Sequence, residues 1–229
     1  MKQDVYEDKT PQTASNHVGI EIECVTDRHW ENVGDVVGDL AKWVTVTEDG
    51  SIDEDDGYGC ELKICASEQS FRKVVAKACA RLQEVNASVN KSCGLHVHLD
   101  MRNRDVAVCF NNLVIAQPLL YAMQPESRRN NSYCLTTRQG VTFEQAAASY
   151  GRYSGINSQA FRKHKTLEVR IHSGTTNPTK IVKWVELLLA IVRHPKVNSI
   201  SEFKLPSQLQ AYVTYRTNKF NQEVVNEAA

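Results

Sequence analysis

Residues 17–25 read HVGIEIECV, and the alternation within them sets the fold. Val18, Ile20, Ile22 and Cys24 alternate with Gly19, Glu21 and Glu23, the period of a half-buried strand. Glu21 and Glu23 therefore project from one face. Residues 93–100, CGLHVHLD, repeat the pattern, with Leu95, Val97 and Leu99 facing one way and His96 and His98 the other. In residues 166–171, TLEVRI, the same spacing puts Thr166, Glu168 and Arg170 together. A core-facing sheet surface does not carry glutamates at alternate positions, so this face meets either solvent or a cation. For any single pair, an exposed sheet face is explanation enough. Jointly, carboxylates mixed with imidazole and a guanidinium are what a divalent-metal and phosphate site requires.

The rest of the chain supplies elements around these strands. Weak helical character runs over residues 31–40, with Gly34 and Gly38 inside it. Residues 43–47 alternate as a strand that leads into the acidic turn EDGSIDEDDGYG at 48–59, and residues 60–65, CELKIC, are extended again. Ser67 is a candidate cap for a helix in which Phe71, Val74, Val75, Ala78, Leu82 and Val85 share a core-facing side. Asp105 is placed to cap a second helix reaching Met123, kinked at Pro118. A polar segment at 125–140, PESRRNNSYCLTTRQG, lacks periodicity and is long enough to be a functional loop. A short helix follows over 142–149. Asn177 and Pro178 are a cap and first-turn pair for an apolar helix reaching Arg193, and His194 with Pro195 ends it. A last helix is expected over 209–225. With no internal repeat, low-complexity tract or linker, the expectation is a loose leader over 1–16 and one α+β domain over 17–229, its sheet mostly antiparallel.

Composition limits the function. The 229 residues carry 27 Lys and Arg against 27 Asp and Glu, so the formal charge is zero. That balance argues against a nucleic-acid or membrane-surface partner. It conceals a split, because residues 1–68 hold 17 acids and 5 bases. The split is either segregated solvated surface or two ligand surfaces of opposite preference. The longest strongly apolar stretch, 185–192, contains Glu186 and is too short to span a bilayer. The segment MKQDVYEDKTPQ lacks the apolar run of a signal peptide. Seven cysteines, an odd number with no CxxC pair, fit reduced thiols better than a disulfide framework, so the expected location is cytoplasmic.

The donors also speak to the metal. Oxygen-rich ligands with one or two imidazoles suit Mg²⁺ or Mn²⁺ held jointly with a phosphate, whereas structural Zn²⁺ takes cysteines at fixed spacing. Cys93, three residues before His96, keeps a Cys/His zinc site open. Lys165, Arg170 and the Arg128–Arg129 pair are candidates to neutralise phosphate oxygens, with plain surface charge as the alternative.

GIEIE at 19–23, DGS at 49–51, GCEL at 59–62, CGLHVHLD at 93–100 and HKTLEVRIHSGT at 164–175 together resemble the amidoligase family. That family is grouped with glutamine synthetase and glutamate–cysteine ligase among the ATP-dependent carboxylate-amine ligases. The G-L-H-V-H and L-E-V-R-I elements are each similar to segments of glutamine synthetase. The resemblance implies a glutamine synthetase-like catalytic domain, with a polar catalytic sheet face and helices packed on the other. It also implies that Glu21, Glu23 and Glu61 bind two divalent ions, that His96 and Glu168 join the second ion, and that His98 lies near the nucleotide phosphates. Arg170 matches the arginine facing the transferred phosphoryl group or the carboxylate substrate. Asp49 and Ser51 match a turn near the amine, although here the turn follows E-x-E instead of preceding it. The chain also departs from glutamine synthetase in its shorter length and in lacking a second glutamate spaced after Glu61, a gap that substrate oxygens, water or Asp49 would fill.

The leading expectation is ATP-dependent formation of an amide or isopeptide bond between a small-molecule or peptide acid and an amine, through an acyl phosphate. Arg170 and Lys165 would stabilise the developing anions, with Arg128 and Arg129 as further phosphate partners and Asp49 a proton acceptor. No protein nucleophile is required. The rival expectations are a metal-dependent hydrolase using the same residues without ATP, and a non-catalytic nucleotide- or peptide-binding module.

Overall fold

A computed structural model describes residues 16–53 and 57–227 of the chain. The expected leader lies, apart from Asn16, outside the described residues, as does the middle of the acidic turn at 54–56. The described residues form two compact units: one within Met1–Asn103 and Gly174–Val182, the other within Arg104–Ser173 and Lys183–Ala229.

The first unit is built on strands β1 (His17–Thr26), β2 (Val44–Glu48), β3 (Tyr58–Ser67) and β4 (Gly94–Asp100). They lie in the order β2-β3-β1-β4, and each neighbouring pair is antiparallel. The register sets Ile20 opposite Ile64 and Val97, and Ile22 opposite Leu62 and Leu95. All of these side chains are buried. Burying each stabilises the fold by about 1.5–3 kcal/mol, and a slip of one residue would turn the whole set to the opposite face. Helices α1 (Trp30–Val37) and α2 (Phe71–Glu84) complete this core with Val33, Val37, Phe71, Val74, Val75, Ala78 and Leu82. The α2 start differs from the Ser67 cap expected from sequence. Ser70 is the cap residue, and the Ser67 hydroxyl instead accepts the Ser70 N–H at 3.2 Å, closing the turn before the helix.

The second unit contains α3 (Val106–Ala122), α4 (Glu126–Arg129), α5 (Phe143–Ser149), β5 (Ile156–Asn157), α6 (Ala160–His164) and β6 (Thr166–Ser173). It continues through the part of α7 (Pro178–Arg193) that follows Val182 and through α8 (Ser207–Glu227). Asp105 caps α3 as its sequence suggests, accepting the Val108 N–H at 3.0 Å, and Pro118 lies inside that helix. Thr142 and Gln145 form a reciprocal capping box at α5. The Asn177 cap of α7 accepts the Lys180 N–H at 3.1 Å. Asn112, fully buried on α3, holds the chain just beyond α7: its amide donates to the carbonyls of His194 at 2.9 Å and Pro195 at 3.2 Å and accepts the Val197 N–H at 3.1 Å.

The architecture is α+β with antiparallel strands. None of the seven cysteines forms a disulfide, and all are buried. Among the described residues, no helix is long and apolar enough to cross a membrane.

Candidate functional site

The strands of the first unit alternate, so their second face is decided by the same residues that build the core. Opposite Val18, Ile20, Ile22 and Cys24, β1 presents Glu21 and Glu23; β3 presents Glu61 and Lys63; β4 presents His96 and His98. The register places Glu23 across from Glu61, and Glu21 between Lys63 on one side and His96 on the other. This face is not solvated. Glu23 is only 6% exposed and Glu61 8%, and His96 and His98 are buried with them. Burial removes the open sheet face as an explanation for the glutamate and histidine pairs. Buried carboxylates require compensation by hydrogen bonds or opposite charge.

That compensation is partly visible. The His96 ring bridges the two glutamates of β1, with Nδ1 3.2 Å from Glu21 and Nε2 3.4 Å from Glu23. Nε2 of His98 lies 3.3 Å from the other Glu21 oxygen. Glu23 also accepts the Gly94 N–H at 2.5 Å, which ties β1 to the first residue of β4. The Lys63 ammonium pairs with Glu61 at 2.7 Å. Burial by itself would raise the Glu21 carboxyl, but the charges and hydrogen bonds of His98 and His96 hold it well below the usual carboxylate range. Glu61 moves the other way: burial, and then the like charge of Glu21, push it well above that range against the pull of Lys63.

Two sets of donors converge here closely enough to share a cation. Glu21, Glu61 and His96 each offer an atom within 4.8 Å of the others, and so do Glu23, Asp49 and Glu61. Glu61 belongs to both. The second set supplies the carboxylate that is missing from the sequence after Glu61, since the turn after β2 brings in Asp49, whose Oδ1 accepts the Ser51 N–H at 2.9 Å and its hydroxyl at 2.7 Å. Four carboxylates and an imidazole are a hard, oxygen-rich donor set of the kind that Mg²⁺ or Mn²⁺ takes, and the residues fit such an ion.

The second unit holds the remaining candidates. Glu168 of β6 is buried, with one oxygen taking the Asn157 amide at 2.6 Å and the other the Arg170 guanidinium at 2.6 Å. Arg170 also donates to the Tyr133 carbonyl at 3.2 Å, tying the 125–140 segment to β6. Arg128 is buried and directs its guanidinium to the carbonyls of Arg170 at 2.5 Å and Ile171 at 3.4 Å. Arg129 donates to the carbonyls of Gln124 at 3.1 Å and Ala122 at 3.5 Å. In this structure both arginines organise backbone. Lys165 is exposed in the left-handed conformation after α6, φ 56°, with its ammonium over the Phe161 ring at 5.2 Å.

Sequence reasoning passed over Lys63 and Asn157. Lys63 was legible, because it follows Glu61 by two residues on a strand and must share its face. Asn157 was not, because a two-residue strand carries no period.

With this geometry in hand, comparison with known proteins gives one positive finding: the family model described as putative amidoligase enzyme matches residues 14–150, more than half of the chain. No curated protein matches it.

Proposed function

The chain belongs to the amidoligase family, named for amide-bond-forming ligases, and on that premise we propose that it is an ATP-dependent carboxylate-amine ligase. The observation that carries the reading is the gathering of Glu21, Glu23, Asp49, Glu61 and His96 on one largely buried face. A divalent cation bound there, Mg²⁺ or Mn²⁺, would offset the charge that keeps an acid substrate away from a polyphosphate. Glu21, Glu61 and His96 would hold one such ion, and Glu23, Asp49 and Glu61 a second.

In the reaction we infer, a carboxylate oxygen of the acid attacks the γ-phosphorus of ATP, the bond to the bridging oxygen breaks, and ADP departs from an acyl phosphate. A neutral amine then attacks the acyl carbon, forming the C–N bond as phosphate leaves with the C–O electron pair and the amine proton passes to solvent. Glu21, Glu23 and Glu61 fix the charge of the face, and the bridging His96 fixes the spacing of the two β1 carboxylates. We assign Asp49 to the cation instead of to the amine proton, because it stands with Glu23 and Glu61. Arg170, oriented by Glu168, is assigned to the developing phosphoryl or carboxylate anion, and His98 to the nucleotide phosphates, as the glutamine synthetase resemblance implies. The expected substrates are a small-molecule or peptide acid and an amine.

The test is an ATP-consumption screen over amino acids, polyamines and peptides with Mg²⁺ or Mn²⁺ present and products read by mass spectrometry. ADP formation that needs both an acid and an amine, and that falls at least 100-fold in folded Glu23→Gln and Glu168→Gln variants, is the expected result. Hydrolysis without nucleotide would instead establish the hydrolase. ATP binding without turnover would establish a binding module, and full turnover in both variants would remove these residues from the reaction.

A further inference from the structure

Lys63 stands among the carboxylates with no part in the reaction above. It projects from β3 on the face that carries Glu61, opposite Glu21 in the register, and its ammonium lies 2.7 Å from Glu61. Its side chain is 26% exposed, more than the 11% of the Glu61 side chain it pairs with, so of the two partners the lysine is the one with more contact with solvent. Glu61 belongs to two of the candidate cation-donor sets, one with Glu21 and His96 and the other with Glu23 and Asp49.

We infer that Lys63 is a built-in counter-cation that exchanges with the divalent ion, its ammonium resting on Glu61 in the metal-free protein and leaving when the ion binds. The inference rests on the cation reading of this face. The argument is one of charge and space. A carboxylate this buried needs a positive partner to stay ionised, whether or not metal is present. A dication at Glu61 supplies that partner and repels an ammonium already there. A lysine suits the exchange, since its compact charge sits on a flexible four-carbon stem and its side chain is partly exposed. An arginine, with its planar two-point grip on a carboxylate, would resist displacement. Lys63 is thus a positioning residue: it keeps Glu61 in place before the cation arrives and sets how tightly the cation is held.

The experiment is Mn²⁺ titration of the full chain by calorimetry at pH 8, without nucleotide or substrate, for the wild type, Lys63→Met and Lys63→Arg. Removing the competing ammonium is expected to tighten Mn²⁺ binding about tenfold in Lys63→Met, and the arginine variant is expected to bind several-fold more weakly than wild type. A second measurement uses the wild type alone and so survives any folding failure of the variants. Saturating Mn²⁺ is expected to raise the rate at which an amine-modifying reagent labels Lys63, read by peptide mass spectrometry. Folded Lys63→Met that binds Mn²⁺ no more tightly than wild type, or labelling that stays level or falls, would overturn the exchange while leaving the cation face intact. A wild type that takes up no Mn²⁺ would overturn both.

Discussion

Asp100, at the end of β4, is a buried carboxylate whose charge is met by neighbouring donors. Its Oδ1 accepts the N–H of Arg102 at 3.0 Å and Nε at 2.8 Å, while Oδ2 accepts Nη2 at 2.6 Å and the His17 N–H at 3.2 Å. Burial alone would raise this carboxyl, but the Arg102 guanidinium and the two backbone N–H groups hold it below the usual aspartate range. A carboxyl depressed in the folded state contributes stability that is present above its unfolded pKa and lost as pH falls through the folded one. Asp100→Asn should therefore lower the unfolding free energy at pH 7 by about 1–3 kcal/mol. Urea midpoints should show the gap to wild type closing as the solution is acidified below the ordinary aspartate pKa. A gap that widens on acidification would contradict this account. At the residue scale the sequence was informative wherever side chains alternate: Glu21, Glu23, Glu61, His96 and His98 all share the face that their spacing required. It was silent on burial, because alternation marks a face without saying what covers it. Arg128 shows the same limit, since nothing in its sequence context foretells a guanidinium buried against the carbonyls of β6.

Elements carry those residues to their positions, and the joints between elements decide the precision. Gly174, just after β6 and part of the first unit, donates its N–H to the Cys93 carbonyl at 2.8 Å. A Cβ added to Gly174 would lie 2.6 Å from that of Cys93 and 3.0 Å from its carbonyl oxygen. The chain therefore approaches β4 as closely as a residue without a side chain permits. The residue after Cys93 is Gly94, whose N–H holds Glu23. Gly174→Ala should displace this joint, lowering the melting temperature by several degrees, as expected for a cost of about 1–3 kcal/mol, and weakening Mn²⁺ binding. An unchanged melting temperature and Mn²⁺ affinity would show that the joint yields without consequence. Long periodic helices and capped starts were legible because their signals are local: Asp105 and Asn177 each cap as their spacing suggests. The strand β5 and helix α6 were not, since segments of two and five residues complete no period; β5 exists through its pairing with β6, which alternation within two residues does not announce. The cap position of α2 lies three residues beyond Ser67, because the Ser67 hydroxyl is engaged by Ser70 in the turn that precedes the helix.

For the molecule as a whole, the zero net charge gains a more definite meaning. The acid-rich part of the sequence contributes Glu21, Glu23, Asp49 and Glu61 to one cluster, where the Lys63 ammonium and the imidazoles of His96 and His98 stand beside them. The remaining surface acids need no such explanation. The family was legible from short segments, four of which (19–23, 49–51, 59–62 and 93–100) lie within the matched residues 14–150, because each carries chelating or turn-forming residues whose spacing is fixed by chemistry. The substrates were not legible, because nothing in alternation or capping records the shape of an acid or an amine. The central claim is that this chain joins an acid to an amine by way of an acyl phosphate, and oxygen transfer tests it most directly. With an acid identified in the screen and labelled with ¹⁸O in its carboxyl group, the account predicts that each amide formed releases one phosphate carrying one ¹⁸O atom from that carboxylate. Amide formation accompanied by phosphate without the label would contradict it.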